Sequence, residues 1–506
     1  MSGGRGGLVA GVDCSTQATK VVVVDADSGA VVAEGRADHV VRGERGARES
    51  DPRQWWDTLR SAIAVTGRGR DIRALAVAGQ QHGLVTLGRT GEPVRPAVLW
   101  NDTRSAPDAA ELVATLGAAT WAERTGSVPP ASFTVTTWAW LRRTDPDAAD
   151  ATAAIRLPHD YLTEQLTGEA VTDRGDASGT GWWSPATGCY DELVLELEAV
   201  DLDPSRLPTV LEPFAPVGTV RAQAAADLGL PPDVVVGPGT GDNMAAALGL
   251  GLTPGQPVVS LGTSGTVFMV SPRPTSDESG VVAGFADATG RYLPLACTLN
   301  CTLAVDQVAG WLHLGRDDVA PSDGVVLLPY FEGERTPNLP GATAMVTGLR
   351  SSTAAGQILM AAYEGAVASL VDALDALAHH TGRLASDAPP VETMPLADTG
   401  APTVGGVGAE VPLVVVGGGA AGRTWRDVVG RLSGRPLLVP EGGELAAVGA
   451  AVQAAAVWRG EDPGAVARRW NTSRGALVDP LPRDNDCLGR IRAARTAVGP
   501  LLDPGP

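Results

Sequence analysis

Val234-Val235-Val236-Gly237-Pro238-Gly239-Thr240-Gly241-Asp242-Asn243 opens the stretch that decides the fold, and Val258-Val259-Ser260-Leu261-Gly262-Thr263-Ser264-Gly265-Thr266 closes it. The three valines read as a buried strand, and the Gly/Pro run after them is too rich in breakers for regular structure. Small residues from Met244 to Gly251 then read as a helix. A second strand, Val258 to Leu261, turns through Gly262–Gly265 and leaves through Thr266-Val267-Phe268-Met269-Val270. Asp242, on its glycine-lined turn, is a candidate base. The hairpin is a candidate phosphate cradle, because bare backbone N–H groups there can face an anion. Both have a plainer reading: Asp242 as the N-cap of the following helix, and Gly262–Gly265 as a tight hairpin and nothing more.

The same device stands near the start of the chain. Leu8 to Val12 is an apolar strand, Asp13-Cys14-Ser15-Thr16-Gln17-Ala18-Thr19 is a hydroxyl-rich turn, and Lys20 to Asp25 is the returning strand, with Ala30 to Ala33 after it. Strand, small polar turn with a threonine, strand occurs again at 257–270, which predicts two related domains with a ligand between them. Lys20 is the sole lysine of the chain. Arginine serves wherever a generic positive charge suffices, whereas a compact ammonium suits a point contact with phosphate. Chance is the plainer reading.

Outward from these hairpins the sequence places further polar turns after strands. Ala74 to Ala78 ends in Gly79-Gln80-Gln81-His82-Gly83, and Val98-Leu99-Trp100 ends in Asn101-Asp102-Thr103-Arg104. Three polar side chains between two glycines suit a pocket for hydroxyl groups; the plainer readings are a surface loop and a hydrogen-bonded core histidine. Asp51 and Pro52 start a helix whose Trp55, Trp56 and Leu59 read as core. Leu157-Pro158-His159-Asp160-Tyr161-Leu162 leads into a helix closed by Gly168, and Asp173 to Gly181 is a polar loop. Trp182 and Trp183 read as packing. Ala361 to Leu377 reads as a long helix, and residues 385–410, rich in Pro, Gly, Ala and Asp, as an exposed insertion.

Acidic residues outnumber basic ones 58 to 39 over 506 residues, a formal charge of −19. That excess argues against nucleic acid and anionic membrane as partners, though not against an anion held by local donors. No continuous apolar run approaches the roughly 20 residues of a membrane helix. Nothing at Met1–Gly7 resembles a secretory signal. Cys14, Cys189, Cys297, Cys301 and Cys487 are odd in number and scattered, as expected of buried reduced thiols in a cytoplasmic protein. Cys297 and Cys301 lack the companions of a metal site.

The C-terminal glycines carry a competing signal. Val411 to Val416 reads as a strand, Gly417-Gly418-Gly419-Ala420-Ala421-Gly422 follows, and a helix begins near Thr424. Glu441 lies about 20 residues on, so the spacing fits a dinucleotide fingerprint and a nicotinamide-dependent oxidoreductase. Against it, too little chain follows for a doubly wound half, and the hairpins, Asp13 and Asp242 are left without a task. Such a turn also accepts an adenosine lying flat on backbone.

Taken together, these motifs resemble the FGGY family of carbohydrate kinases, which includes kinases of xylulose, gluconate and glycerol. Asp13–Lys20 is similar to the family's first phosphate hairpin and Ser260–Gly265 to its second. Gly417-Gly418-Gly419 resembles its adenosine motif and Gly241-Asp242-Asn243 its catalytic-base motif. Ala344–Leu349, Gln357-Ile358 and Ala361–Glu364 are similar to a family signature. Gly79–Gly83, Leu99–Asp102 and Pro158–Leu162 point to the branch acting on xylulose. Two departures stand out: Ser15 where many members carry glycine, and no lysine near Thr137.

The resemblance implies an α/β chain of two actin/hexokinase-like (ribonuclease-H-like) domains, 1–248 and 249–506, with the active site in the cleft between them. It implies transfer of a phosphoryl group from Mg-ATP to the terminal hydroxyl of D-xylulose. Asp242 would be the base and Asp13 the Mg²⁺ ligand. Ser15, Thr16, Gln17 and Lys20, with Gly262, Thr263 and Ser264, would hold phosphates. Gly418, Gly419 and Arg423 would border the adenosine; Gln81, His82, Asp242 and Asn243 would grip the sugar. Ribulose, gluconate or glycerol are the alternative acceptors, and a non-catalytic ATP-binding module is the alternative class. A homodimer is admitted.

Overall fold

The computed structural model describes residues 6–331, 333–339, 341–385 and 411–502. All but the first residue of the expected insertion at 385–410 lies outside the described residues. The chain forms two compact units. The first is Met1–Thr253, Pro274–Pro294 and Gly442–Arg474; the second is Pro254–Arg273, Leu295–Glu441 and Gly475–Pro506. Residues 442–474, which the sequence assigns to the second domain, thus pack with the first unit.

The sheet of the first unit runs in the order Gly218–Thr219, Val235–Val236, Ile72–Gly79, Leu8–Cys14, Ala18–Asp25, Val31–Asp38. Leu8–Cys14 pairs antiparallel with Ala18–Asp25, setting Asp13 opposite Lys20, and parallel with Ile72–Gly79, setting Asp13 beside Ala78 and Cys14 beside Gly79. Thr240–Gly241 joins the same strand, Thr240 beside Ala78 and Gly241 beside Gly79. This register brings three polar segments to one end of the sheet: the turn after Asp13, the turn after Gly79, and Asp242. That end is where the parallel strands have their carboxyl termini, the usual place for ligands in α/β sheets. Val21 to Val24 are buried throughout, as a strand covered on both faces requires.

The helix Leu445–Arg459 is apolar nearly all round, so it must be buried on more than one side. Glycines let it in. A Cβ at Gly11 would lie 1.8 Å from the Ala447 carbonyl oxygen, and one at Gly449 would lie 1.8 Å from that of Ala245. The helix is therefore wedged between the first strand and the helix Asp242–Gly249 that carries the candidate base. On the far face, Trp55 and Leu59 of Pro52–Thr66 are fully buried, as expected; truncating such a tryptophan costs about 3–5 kcal/mol. Trp56 is only partly buried and donates to Asp227 Oδ2 at 2.7 Å.

The second unit repeats the plan. The second sheet runs Ala283–Ala286, Tyr292–Thr298, Gly265–Met269, Pro257–Leu261, Leu413–Val416, Leu437–Pro440, Gly475–Val478. As in the first unit, a central strand pairs antiparallel with its hairpin partner and parallel with a strand far along the chain. The long helix is Ala355–Ala385. Its Ala355–Thr381 portion is long and apolar enough to cross a membrane, but 78% of its most apolar window is buried inside the protein, as in a core helix.

Candidate active site

The first hairpin is held from several sides. The backbone N–H of Ser15 donates to the Ala18 carbonyl at 3.0 Å, and that of Gln80 to the Cys14 carbonyl at 3.0 Å. His39 ties the turn down: its backbone N–H donates to the Gln17 carbonyl at 2.9 Å and its Nε2 meets the Ser15 carbonyl at 2.8 Å. A carbonyl only accepts, so Nε2 carries the proton. Trp100 Nε1–H donates to Thr16 Oγ1 at 3.0 Å, joining the Leu99–Asp102 segment to the hairpin. Gln17 is exposed.

Asp13 is 5% exposed, and its two oxygens differ. Oδ2 accepts from Ser15 Oγ at 2.6 Å and lies 3.7 Å from Lys20 Nζ, whereas Oδ1 is buried with no protein partner. Burial pushes this carboxyl up, against the Ser15 hydrogen bond and the Lys20 charge. Lys20 also pairs with Glu444 at 2.5 Å. Glu444 sits at φ 50°, in the left-handed region, at the N-terminus of the helix Leu445–Arg459. Strain of that kind costs about 1–3 kcal/mol and gathers at functional sites.

Asp242 is not the N-cap of its helix; Gly241 is, and Asp242 is the first helical residue. Its Oδ1 accepts from the Asn243 backbone N–H at 2.8 Å and from Asn243 Nδ2 at 3.0 Å. Asn243 Nδ2 also donates to Gln81 Oε1 at 2.9 Å. Gln81 is 4% exposed, and its Nε2 is a buried donor with no protein partner. His82 sits at φ 69°, gives Nδ1 to the Gly179 carbonyl at 2.7 Å, and stacks on Phe133 at 4.7 Å between ring centroids. Burial pushes the Asp242 carboxyl up to about 7, and the Asp13 and Asp176 carboxylates press it the same way. Asp242 keeps an edge partly open to solvent.

Behind Asp242 lies a buried charge cluster that the sequence reading did not anticipate. His159 Nδ1 meets Asp176 Oδ2 at 2.7 Å, and Nε2 lies 3.2 Å from Asp160 Oδ1 and 3.7 Å from Asp173 Oδ1. All four residues are at most 1% exposed. Burial alone would depress the imidazole, but Asp160, Asp176 and Asp173 outweigh it and hold His159 up at about 9. A histidine raised from 6.5 contributes stability that is full below 6.5 and is lost as pH climbs through about 9. Asp176 and Asp242, also raised, act with the same sign at lower pH. The urea midpoint should therefore fall between pH 6.5 and 9; a midpoint that is flat or rising there contradicts the charged cluster.

In the second unit, Thr302 closes the other hairpin: its Oγ1 donates to the Gly262 carbonyl at 2.7 Å and its N–H to the same oxygen at 3.1 Å. Thr263 is exposed at the tip. Gly417 takes φ 87°, where a Cβ would lie 2.7 Å from the Leu261 carbonyl oxygen, so this turn lies against the hairpin's own strand. Gly418 faces open space. Arg423 is 85% exposed and reaches Asp427 at 3.5 Å. The dinucleotide fingerprint fails on topology. Its strand, Leu413–Val416, pairs parallel with Pro257–Leu261 and Leu437–Pro440, but each of those pairs antiparallel on its other side, so the parallel run stops at three strands and no doubly wound parallel sheet forms.

Glu444, His39 and the His159 cluster are the site features that local pattern missed. A charge after Gly442-Gly443, just ahead of a small-residue helix, was the available signal for Glu444. Trp182 and Trp183 are both buried, each 1% exposed. Of the five free cysteines, Cys189 is exposed and Cys297 partly so, which corrects the expectation of buried thiols; no metal-holding cluster exists among the described residues.

Two sheets of one plan, each built on a hairpin, define an actin-like two-domain α/β fold. Residues 8–249 match the N-terminal domain of the FGGY family of carbohydrate kinases and residues 258–458 its C-terminal domain. The chain belongs to that family. It is 55% identical to a xylulose kinase of Streptomyces coelicolor over 507 aligned positions, covering 99% of each chain. It is 54% identical to that of Streptomyces rubiginosus, covering 100% of this chain and 99% of the relative. A xylulose kinase structure from Bifidobacterium adolescentis superposes with a TM-score of 0.79 at 34% identity, covering 97% of this chain and all of that one.

Proposed function

We propose that this enzyme transfers the γ-phosphoryl group of ATP to the terminal hydroxyl of D-xylulose, giving D-xylulose 5-phosphate. The observation that carries the assignment is the juxtaposition of Asp242, Asn243 and Gln81 beside Asp13 at one end of one sheet. Full-length likeness to curated xylulose kinases supports the acceptor.

The buried, partnerless Oδ1 of Asp13 fits a hard cation, which prefers carboxylate oxygen, so Asp13 is the residue to hold Mg²⁺. When bound with the nucleotide, Mg²⁺ neutralises charge on the phosphates. Thr16 and Gln17 offer hairpin and side-chain donors to phosphate oxygens, Lys20 offers its ammonium, and Ser15, whose N–H and hydroxyl are given to Ala18 and Asp13, would reach phosphate only by turning its hydroxyl away from Asp13. In the second unit, Gly262, Thr263 and Ser264 offer the equivalent turn, and Gly418, Gly419 and Arg423 border the adenosine. Asn243 occupies Oδ1 of Asp242, leaving Oδ2 to take the proton of the sugar hydroxyl as the hydroxyl oxygen bonds to the γ-phosphorus and the bond to the β,γ-bridging oxygen breaks, releasing ADP. A base with a pKa near 7 is suited to the task at neutral pH. The orphan Gln81 Nε2 donates to a second hydroxyl. His82, fixed by Nδ1 on the Gly179 carbonyl, lines the same pocket.

A panel of D-xylulose, D-ribulose, gluconate and glycerol with Mg-ATP tests the acceptor. D-xylulose should show the highest kcat/KM by at least about tenfold, the discrimination that one or two well-placed hydrogen bonds supply. A higher value for any other member would move the assignment to that acceptor.

A further inference from the structure

The buried histidine behind the site is more than a satisfied core residue, because two site turns are built against it. A Cβ at Gly239 would lie 2.6 Å from His159 Cδ2, and one at Gly79 would lie 3.0 Å from His159 Cβ. Gly239 opens the turn that ends at Asp242; Gly79 opens the turn that carries Gln81 and His82. Gly239 has no room to shift towards the ring, and Gly79 none to shift towards the His159 Cβ and backbone.

Two polar arms leave the same imidazole. In one, Nε2 makes no hydrogen bond but lies 3.7 Å from Asp173 Oδ1, a charge contact, and Asp173 Oδ2 accepts from Thr240 Oγ1 at 2.7 Å, two residues before the base. In the other, Nδ1 meets Asp176. The Asp176 carbonyl accepts from the Gly179 N–H at 2.9 Å, and the Gly179 carbonyl receives His82 Nδ1 at 2.7 Å. Asp160, the remaining neighbour, is fixed by the Leu157 N–H at 2.8 Å. An imidazolium is a flat cation, so it can hydrogen-bond one carboxylate through Nδ1 and attract two more by charge at Nε2 while its Cδ2 edge lies against Gly239.

We propose that His159 is a positioning residue, which holds the Gly79–His82 and Gly239–Asp242 turns in mutual register and so aims Asp242 at the acceptor hydroxyl. The inference rests on Asp242 being the base. Misplacing a reacting group by about 1 Å costs on the order of 10²-fold in rate, far more than the loss of one average hydrogen bond.

The test compares the full-length enzyme with His159→Gln and Asp176→Asn, well below their unfolding temperatures. Rates are normalised to the active fraction given by the stoichiometry of ADP binding. Expected for His159→Gln is a fall in kcat of about 10–10²-fold with a severalfold rise in the KM for sugar, while the KM for ATP stays within about twofold. Asp176→Asn keeps the ring against Gly239 and the His159 backbone against Gly79, and should show the same selective pattern at roughly tenfold in kcat. A kcat per active site within about twofold of the parent in both variants, or an equal rise in both KM values, overturns the proposal. If His159→Gln does not fold, Asp176→Asn alone decides. Asp242→Asn, run alongside, separates two failures. If it retains turnover, the base is misassigned; if it is inactive while His159→Gln is normal, only the positioning role fails.

Discussion

Asp242→Asn is expected to lower kcat by about 10²–10⁴-fold while changing the dissociation constant for D-xylulose by less than about tenfold. An amide keeps the shape of the side chain and an oxygen able to accept from Asn243, but cannot take a proton at neutral pH. The split between turnover and affinity follows from the proposal that Asn243, Gln81 and His82 also hold the sugar. The size of the loss is bounded by the same reasoning. A general base supplies only part of a kinase's acceleration, and positioning with charge neutralisation supplies the rest. Stopped-flow ADP release gives the rate and calorimetry the affinity. Turnover within about tenfold of the parent would remove Asp242 from the base role.

Asp13→Asn is the second large effect. Two consequences separate it from general damage. The loss should fall on the nucleotide side, with kcat/KM for ATP down by on the order of 10²–10³-fold and a greater Mg²⁺ requirement, because the buried Oδ1 is the oxygen suited to a cation. The acidic limb of the kcat profile should also move to lower pH, because the Asp13 carboxylate is one of the groups pressing the Asp242 carboxyl upward. Rate against magnesium concentration, and rate against pH, measure the two. An unchanged magnesium requirement contradicts the assignment of Asp13.

What was readable without coordinates was whatever local pattern controls. Both hairpins are short, alternate strand with small polar turn, and stand where that pattern puts them. Register then does the assembling: Asp13 beside Ala78, and Gly241 beside Gly79, follow once the strands are parallel. What was not readable depends on contacts distant in the chain. Nothing in residues 442–474 announces that they pack with the first unit; only in the fold do Gly11 and Gly449 show why they are glycines. Glu444 reaches Lys20 by that route alone. The glycines at 417–422 show the opposite failure, a motif correct over six residues whose meaning is set by the neighbouring strand.

The most direct measurement of the central claim is phosphorus NMR of the full-length enzyme with Mg-ATP, with and without D-xylulose. The account predicts one new phosphomonoester, identified as D-xylulose 5-phosphate, formed one-to-one with ADP and absent without the sugar. ADP release at the same rate whether or not the sugar is present, or a phosphate on a different hydroxyl, would contradict it.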